Sequence, residues 1–373
     1  MSQWIKTKLG EIVILNYGKA LKAQDRNAGS IPVYSSGGLT GWHNKALINE
    51  QGIIIGRKGT VGKAYLTYGP FWCIDTAYYI LPNPSKYDFV FLFYLLKTLG
   101  LEEQNEDSAV PGLNRDTAYS QEILLPSLPE QKAIASVLSS LDDKIDLLHR
   151  QNKTLESMAE TLFRQWFILD STGVSVSIDQ IIDFNPKRTL IKSQDATYLD
   201  MAGLSTVIFR ANGYYRRPFS SGTKFTKRDT LLARITPCLE NGKAAYIDFL
   251  DDNETGWGST EFIVMRPKKE IHPFISYIMC RNPDFKEYAE SCMEGSTGRQ
   301  RVNLDHLKKF NVNLPTEASL RIINELLDSF ESKLINNSKQ IDSLEKLRDT
   351  LLPKLMSGEV RVQYAEEAIA SVA

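Results

Sequence analysis

A basic loop that contains several glycines, Gly56–Lys63, is the stretch of this chain that most suggests phosphate chemistry. A Walker loop needs a glycine, four residues, and then Gly-Lys followed by Ser or Thr. Here five residues separate the first and last glycines, and Ala64 stands where Ser or Thr is required. A nucleotide site is therefore disfavoured. Two interpretations remain: Arg57, Lys58 and Lys63 contact a DNA backbone or base edges, or the loop is a plain hairpin turn.

The residue types that usually carry catalysis occur without the spacing that catalysis needs. The four histidines share no metal-ligand spacing; they are His43, His149, His272 and His306. The chain has no nucleophile elbow, no His-Glu-x-x-His pair and no Asp-Pro-Pro-Tyr-like methyltransferase motif. The adjacent carboxylates Asp142 and Asp143 are expected on a solvated helix face. We therefore expect no catalytic residue and no metal site in this chain.

The composition is that of an ordinary soluble protein. With 373 residues, of which 42% are apolar, the chain is long enough for roughly two to four compact domains. It has no apolar run of about 18 residues and no signal-peptide core at its N-terminus, so we expect a cytoplasmic protein. The cysteines form no Cys-x-x-Cys pair and are expected to be buried, reduced thiols; they are Cys73, Cys238, Cys280 and Cys292.

Charge is distributed unevenly, although the net charge is only −1. Between Asn185 and Ile235 there are ten basic residues against three acids. The basic residues are Lys187, Arg188, Lys192, Arg210, Arg216, Arg217, Lys224, Lys227, Arg228 and Arg234. A local basic face fits contact with a polyanion, but an ordinary solvated surface has the same composition. Charge alone leaves both interpretations open.

Two long helical stretches must position these residues, because they are the most regular part of the sequence. Pro126–Phe167 lies on Pro315–Met356 without a gap when the sequence is shifted by 189 positions. Within each copy, apolar residues recur at alternating steps of three and four, which is the seam of a helix packed along another long helix. A repeat of this length is too long for a solenoid unit. It indicates a duplicated module of globular domain plus helix.

The globular regions before each helix also correspond. Leu231–Ala244 matches Ile53–Ala64 with a few extra residues in the loop, and Trp257–Pro267 matches Trp72–Pro82 at a constant offset. In addition, the stretch from Gly295 to Asn303 matches the stretch from Ser108 to Asn114. The scaffold positions agree, while loop lengths and charges differ. Two versions of one binding module with different targets would have this pattern.

The helix boundaries can be estimated from proline and polar residues. The first helix is expected to begin at Leu128 and to end near Leu169. Asn152 occupies a seam position, where a polar residue can fix register at some cost in stability. The second helix begins after Pro315, has Asn337 and Arg348 at seam positions, and is expected to break near Pro353.

Three segments give the chain a specific resemblance. They are Leu125-Pro-Ser-Leu-Pro-Glu-Gln-Lys-Ala-Ile, Gly295-Ser-Thr-Gly-Arg and Leu351-Leu-Pro-Lys-Leu-Met-Ser-Gly-Glu-Val-Arg-Val. Together with the alternation of globular units and helices, they resemble the DNA-specificity subunits of type I restriction–modification systems over nearly the whole chain. One departure is Pro315-Thr-Glu-Ala, which lacks the Pro-x-x-Glu-Gln form of the first copy.

The resemblance implies an α+β fold: two α/β target-recognition domains separated by two long antiparallel coiled-coil helices, with a pseudo-twofold internal repeat. The implied division is a first target-recognition domain at 1–127, a helical spacer at 128–170, a second target-recognition domain at 171–314, a second helix and cap at 315–362, and a tail at 363–373.

The resemblance also implies partners. Each target-recognition domain would read one half of a split site in double-stranded DNA. The helices would act as a ruler and as the docking platform for two modification subunits. Those partners would bind S-adenosylmethionine and methylate adenine at N6, and restriction subunits would cleave unmethylated DNA. This chain would be non-catalytic, with no cofactor of its own and no membrane contact.

Two other functions remain open at this point. A stand-alone sequence-specific DNA-binding regulator would bind DNA tightly as an isolated chain. A coiled-coil scaffold for protein interactions would show no salt-dependent DNA affinity. The specificity-subunit hypothesis instead predicts poor solubility or weak binding until partners cover the apolar outer faces of the helices.

If the chain reads DNA, loop Arg, Asn, Gln, Ser and Thr should contact bases and Lys mainly phosphates. The candidates in the first domain are Ser35, Ser36, His43, Asn44, Arg57, Lys58 and Lys63. Those in the second domain are Arg210, Arg216, Arg217, Lys224, Arg234, Asn241 and Lys243. We expect that changing Arg216 and Arg217 together alters DNA binding while leaving partner assembly intact.

Overall fold

The computed structural model describes residues 4–104, 112–170, 172–296 and 298–362, which form two compact units. The first unit contains the chain up to Asp146 and the chain from Gln340 onward, and the second is Leu147–Lys339. Each unit therefore contains one globular region and a segment of both long helices. The matched stretch from Ser108 to Asn114 lies partly outside the described residues, and the expected tail at 363–373 lies wholly outside them.

The first globular region alternates short strands with short helices and leads into a long helix. Its elements are β1 (Ile5–Lys8), α1 (Leu9–Ile12), β2 (Asn16–Tyr17), β3 (Ile31–Ser35), β4 (Gly38–His43), β5 (Gly52–Gly56), β6 (Ala64–Thr67), β7 (Trp72–Cys73), β8 (Ala77–Ile80), α2 (Phe89–Thr98), α3 (Arg115–Tyr119), β9 (Glu122–Leu125) and the long helix α4 (Leu128–Phe163). A 3-10 turn spans Ala23–Asp25.

The sheets of this region are built around strand β5. Its sheet has the order β2-β8-β5-β6, and a second sheet has the order β4-β3-β7 with β3 parallel to β7. All five residues of β5 are buried, which explains why it reads as an uninterrupted apolar run rather than an alternating one. A turn divides the stretch between Phe71 and Leu81 into β7 and β8.

The second globular region repeats this architecture. Its elements are β10 (Val174–Ser177), β11 (Ile182–Phe184), β12 (Asp195–Leu199), β13 (Tyr215–Pro218), β14 (Thr223–Thr226), β15 (Thr230–Ala233), β16 (Ala244–Tyr246), β17 (Thr255–Gly258), β18 (Phe262–Pro267), α5 (Phe274–Arg281), α6 (Pro283–Ser291), β19 (Met293–Glu294), β20 (Arg301–Val302), α7 (Leu304–Leu307), β21 (Asn311–Leu314) and the long helix α8 (Glu317–Ser357). Two 3-10 turns span Ile178–Gln180 and Met201–Gly203.

The order of the strands confirms the internal repeat. The sheet β11-β18-β15-β16 corresponds strand for strand to β2-β8-β5-β6, and β13-β12-β17-β14 contains the counterpart of β4-β3-β7. Strand β12 runs parallel to β17, as β3 does to β7. Strands β10 and β21 pair at the base of the second region as β1 and β9 pair in the first. The predicted α+β class is correct.

The long helices pack against each other in antiparallel directions within each unit. In the first unit, Arg348 Nη1 donates to Asp142 Oδ1 at 2.9 Å. In the second, Asn337 Nδ2 donates to Asn152 Oδ1 at 2.9 Å. Helix α4 has 36 residues, or about 54 Å at the α-helical rise. The predicted end near Leu169 includes Arg164–Leu169, which follows α4 as a π-helical turn rather than a continuation of the α-helix.

The predicted break at Pro353 is wrong, because α8 continues through Pro353 to Ser357. The proline removes one backbone donor near the end of the helix. Buried Leu351, Leu355 and Met356 surround it in sequence, so their packing holds the turn in place. Among the described residues, no helix is both long enough and apolar enough to cross a membrane.

The core of the second unit joins its globular region to both long helices. The buried cluster that includes α5 also contains Phe163 at the end of α4 and Phe167 in the π-helical turn after it. Ile323 and Leu327 of α8 belong to the same cluster. The expectation that Asp142 lies on a solvated face is also wrong in detail: it is partly buried in the first unit, where it accepts a 2.6 Å hydrogen bond from the hydroxyl of Tyr94.

Candidate nucleic-acid interface

Three segments meet at the end of strand β5 in the first unit. Backbone bonds join Leu113 N to Arg57 O at 2.8 Å and Gly56 N to Lys63 O at 3.0 Å. The turn between β3 and β4 lies beside them, because Ser36 N donates to the Thr76 hydroxyl. The basic loop of the sequence is therefore a hairpin turn held against two other turns.

The side chain of Arg57 is held at the surface by neutral groups. Its Nε and Nη2 donate to the carbonyl of Asp75 at 3.2 and 2.8 Å, and its guanidinium lies 5.3 Å from the ring centre of Tyr17. Arg115 lies over the same ring, also at 5.3 Å. Within the described residues, neither guanidinium has a carboxylate at ion-pair distance. Stacking on tyrosine orders both cations without neutralising them.

These groups line an open cleft of about 340 Å³. Its charged side chains are Arg57, Lys58, Arg115 and Asp116, so cations outnumber acids three to one. Tyr17 is 51% exposed, and burial raises the pKa of Tyr78 to about 12, so that hydroxyl remains protonated. A cationic cleft with an exposed aromatic wall suits a phosphate or the edge of a base.

The second unit repeats the same backbone arrangement around Arg234. Val302 N donates to Arg234 O at 2.8 Å, as Leu113 N does to Arg57 O. The side chains differ, however: Arg301 makes a bidentate pair with Glu261 at 2.7 to 3.0 Å, and this contact lowers the pKa of that carboxyl. The positive charge at the equivalent position of the second unit is therefore partly neutralised by Glu261.

A second basic surface lies on the sheet that contains β12, β13 and β17. Exposed Arg217 lies over Tyr198 at 5.1 Å and over the indole of Trp257 at 5.6 Å. On the same face, Lys224 lies 5.0 Å from the ring of Phe219. Cations held on aromatic faces are suited to phosphate and base contact. We call Arg217, Lys224 and these three rings the aromatic–basic face.

Arg216 points to the opposite face, because successive residues of a strand alternate. It pairs with Asp195 at 2.7 Å and with Glu254 at 3.4 Å. These two neighbouring arginines, which the sequence could not distinguish, therefore differ in electrostatic state: Arg216 has two carboxylate partners, whereas Arg217 has aromatic ones.

The loop from Arg234 to Lys243 carries the remaining candidates of the second unit. Asn241 is exposed. Lys243 Nζ donates to the carbonyl of Met201 at 3.0 Å, and Arg234 Nη2 donates to the carbonyl of Val302 at 3.3 Å. This loop and the segment after β12 are thus neighbours, as the basic loop and the β3–β4 turn are in the first unit.

Several candidates have structural surroundings. His43 is only 5% exposed, and its Nδ1 accepts a hydrogen bond from Asn27 N. Ser36 is buried, while the Ser35 hydroxyl bonds the backbone of its own turn. Arg210 makes an ion pair with Asp248 at 2.8 Å, with both side chains largely buried. Asn44, Lys58 and Lys63 are exposed.

Several basic residues between Asn185 and Ile235 form ion pairs with carboxylates of the same chain. Arg188 pairs with Asp229, Lys227 with Asp252, and Arg228 with Glu331. Of these acids only Asp229 lies within the counted window, whereas Asp252 and Glu331 lie downstream of it. Only part of this basic stretch is therefore available to a polyanion.

The candidate site includes residues that the sequence analysis missed. Arg115 directly follows Asn114, the last residue of a segment already matched between the copies, so extending that match by one residue was a usable signal. Tyr17 lies on a strand of two residues and carried no signal. Tyr198 and Trp257 belong to different strands that are distant in sequence. Only the parallel pairing of β12 and β17 places them side by side on one face of the sheet.

One cluster has metal-ligand composition: His272, Asp328 and Glu331 place donor atoms within 4.8 Å of one another. The guanidinium of Arg228 already contacts all three, with Glu331 at 2.5 Å and His272 at 3.1 Å. Burial lowers the pKa of His272, which keeps the imidazole neutral. In this cluster the guanidinium of Arg228 supplies a cation to the carboxylates of Asp328 and Glu331.

Comparison with known proteins places these features in a family. The family model described as Type I restriction modification DNA specificity domain matches residues 1–157 and 172–346. The MjaIX specificity subunit of Methanocaldococcus jannaschii is 27% identical, covering 73% of this chain and 69% of that protein. The HindI specificity subunit of Haemophilus influenzae is 21% identical, covering 78% of this chain and 81% of that protein.

The match to one further relative is shorter. The EcoEI specificity subunit of Escherichia coli is 26% identical, and the alignment covers 51% of this chain but only 34% of that protein. Among solved structures, the type I restriction–modification S subunit from M. genitalium has a TM-score of 0.64 at 19% identity, covering 95% of this chain and 96% of that chain.

The family model covers both repeated halves of the chain, and the similar structure has the same fold. The resemblance inferred from the sequence is confirmed, as is the expectation of a non-catalytic DNA-specificity protein. The chain belongs to the family of type I restriction modification DNA specificity domains.

Proposed function

We propose that this chain is the specificity subunit of a type I restriction–modification system and that each globular domain reads one half of a bipartite DNA site. Family membership supports the general role. The bipartite reading is supported by one observation above all: the arginine after the central strand has the same backbone environment in both units, while its neighbouring side chains differ. A shared backbone with different surrounding side chains supports two copies of one module that bind different DNA sequences.

The charges indicate how each domain would contact DNA. In the first domain, Arg57, Lys58 and Arg115 would bind phosphates or guanine edges through the cationic cleft. In the second, the aromatic–basic face would supply Arg217 and Lys224, and Asn241 would offer an amide to a base. His43, Ser36 and Arg210 are left out of this proposed set because they are buried or paired.

The catalytic steps would belong to partners. Two modification subunits that bind S-adenosylmethionine would dock on the long helices and methylate adenine at N6, and restriction subunits would join them. The proposed location is the cytoplasm. The division into domains at 127, 170, 314 and 362 also remains a proposal.

Co-expression with the modification subunits of its own system provides the test. Mapping N6-methyladenine in the genome should reveal one motif with two specified halves and an unspecified gap. A single continuous motif would contradict bipartite reading. Tight specific binding by the isolated chain, without methylation, would favour a stand-alone regulator; no salt-dependent DNA affinity in the complex would favour a protein scaffold.

Variants can assign the surfaces. Replacing Arg57 and Arg115 with alanine should weaken DNA binding by the complex about 10- to 100-fold and reduce its salt dependence, because phosphate contacts release counterions. The matched control replaces exposed Lys8 and Lys22, which removes the same charge at positions that do not line the cleft. Equal losses in both variants would show that only net charge matters.

The neighbouring arginines of the second domain form a second pair of tests. Replacing Arg216 and Arg217 together should alter binding while the complex still assembles. We expect R217A to account for most of the change and R216A for little, because Arg216 is already paired with carboxylates. Unchanged sequence-specific methylation by the double variant would exclude the aromatic–basic face as a DNA contact.

A further inference from the structure

A single arginine connects two loops of the second unit, the one that follows β12 and the one that begins at Arg234. Arg281, the last residue of α5, donates from Nη1 and Nη2 to backbone carbonyls of both loops at 2.7 to 3.5 Å. The acceptors are Ser205, Thr206, Ile208, Gly242 and Ala244. The first three lie after β12, Gly242 lies in the loop that begins at Arg234, and Ala244 is the first residue of β16 after that loop.

The same arginine is tied to helix α4 through buried groups. Its Nε donates to the Tyr277 hydroxyl at 2.9 Å, and that hydroxyl donates to Glu156 Oε2 at 2.9 Å. Tyr277 is 1% exposed and Glu156 is 8% exposed. Glu156 also accepts a backbone hydrogen bond from Phe209. A continuous hydrogen-bonded chain therefore runs from α4 to both loops.

This arrangement depends on the chemistry of arginine. A guanidinium offers five donors in a planar, rigid fork, so one side chain can hold two backbone segments at a defined separation. Its plane also lies over the Tyr277 ring at 4.9 Å, which fixes its orientation. A lysine would keep the charge but has three rotatable donors on a single atom. It could not hold both loops in one geometry.

The connected loops carry the polar candidates for base reading. Arg234, Asn241 and Lys243 lie on one, and Lys243 reaches back to the segment after β12 through the Met201 carbonyl. Base-specific hydrogen bonds require donors and acceptors to be placed within a few tenths of an ångström. The backbone that carries them must therefore be held firmly.

The position in the first unit that corresponds to this arginine, which lies among the described residues, holds a leucine. At the constant offset that relates Trp72 to Trp257, the position of Arg281 corresponds to Leu96 of α2. Leu96 is buried and has no polar side-chain group. The first domain of the same chain thus serves as an internal control for any substitution of the arginine.

We propose that Arg281, together with Tyr277 and Glu156, positions the reading loops of the second domain and thereby sets its base specificity without contacting DNA. The proposal rests on the proposed function. A buried carboxylate and a buried hydroxyl are costly to desolvate, and apolar packing would hold α5 on α4 without them. The buried carboxyl of Glu156 and the hydroxyl of Tyr277 instead fix the direction of the Arg281 side chain.

The test uses R281K and Y277F in the full complex, with mapping of methylated adenines. Both variants should relax base preference in one half of the motif, the half that R217A also affects, while the other half stays unchanged. E156Q should retain the wild-type motif, because an amide oxygen can still accept from Tyr277. The matched control is R321K on an exposed position of α8.

Two outcomes would overturn the proposal. Unchanged preference in both halves for R281K and Y277F would show that the loops need no such support. Equal loss of methylation at all sites, together with less assembled complex, would assign Arg281 a role in folding only.

Amide hydrogen exchange tests the same network without relying on methylation. Amides of residues 205–209 and 239–244 should exchange about tenfold faster in R281K, since their local opening becomes easier. Exchange equal to wild type would overturn the proposal even if the wild-type chain methylates no bipartite motif. The absence of a bipartite motif in the wild type would by itself reject only the proposed function, not the positioning role of Arg281.

Discussion

The buried carboxyl of Glu156 should make folding stability depend on pH. Burial, the largest effect, raises its pKa to about 7, although the Tyr277 hydroxyl and the Arg281 charge favour the ionised form. Glu160 adds a smaller effect in the same direction as burial. The folded pKa lies above the ordinary value of 4.5, so the fold favours the protonated form. The associated stability is present below pH 4.5 and is lost as the pH rises through 7.

We therefore predict that E156Q flattens part of the pH dependence of stability. Between pH 5 and pH 8 the free energy of unfolding of the wild type should fall relative to E156Q by on the order of 3 kcal/mol, from about 1.4 kcal/mol per pKa unit. Chemical denaturation at several pH values measures this difference. Because E160Q changes a less buried carboxyl on the same helix, it is the control. Parallel curves for wild type and E156Q would contradict the assigned pKa.

At the scale of elements, the seam between the two long helices contains a polar layer. Asn337 is fully buried and donates to Asn152 Oδ1 at 2.9 Å, and Asn152 donates to Ser338 Oγ at 3.4 Å. Among the described residues, Asn337 Oδ1 is a buried oxygen without a hydrogen-bond partner. Such a layer specifies register at a cost in stability.

A double-mutant cycle should reveal this coupling. N152L alone leaves the amide of Asn337 buried without its main acceptor, so we expect it to destabilise the chain by about 1–3 kcal/mol. N152L combined with N337L replaces both partners with apolar groups and should recover most of that loss. Urea unfolding monitored by circular dichroism measures both. Additive losses would mean that the two asparagines do not act as a pair.

At the scale of the whole molecule, the proposed role of the helices as a ruler makes their length functional. We predict that four residues inserted after Gln151, together with four after its repeat partner Gln340, lengthen the unread gap by one or two base pairs. Four helical residues add about 6 Å and rotate the helix by about 40°. One base pair adds about 3.4 Å and turns the duplex by roughly 35°.

Methylation mapping of the doubly extended chain measures the gap, with both specified halves expected to be unchanged. A chain with an insertion after Gln151 alone is the control. This insertion shifts the apolar positions of α4 relative to those of α8, so the chain should assemble poorly. An efficient double insertion that still methylates with the original gap would rule out the ruler.

Much of the architecture could be derived from the sequence by itself. The heptad spacing, which depends on residues close in sequence, predicted two long helices, and the repeat at 189 positions predicted two copies of one globular module. The α+β class followed from the family resemblance. The basic loop from Arg57 to Lys63 was also recognisable, because glycine and lysine between apolar segments indicate an exposed turn.

Only the tertiary structure decided which charges are free and what supports them. Arg216 and Arg217 are equivalent in sequence, but strand alternation and distant carboxylates separate a paired cation from one stacked on Tyr198. Likewise, only the structure shows that His43 is buried and that Arg281 connects segments that are distant in sequence. The physical reason is that burial, ion pairing and hydrogen bonding depend on long-range contacts, whereas helix periodicity depends on residues a few positions apart.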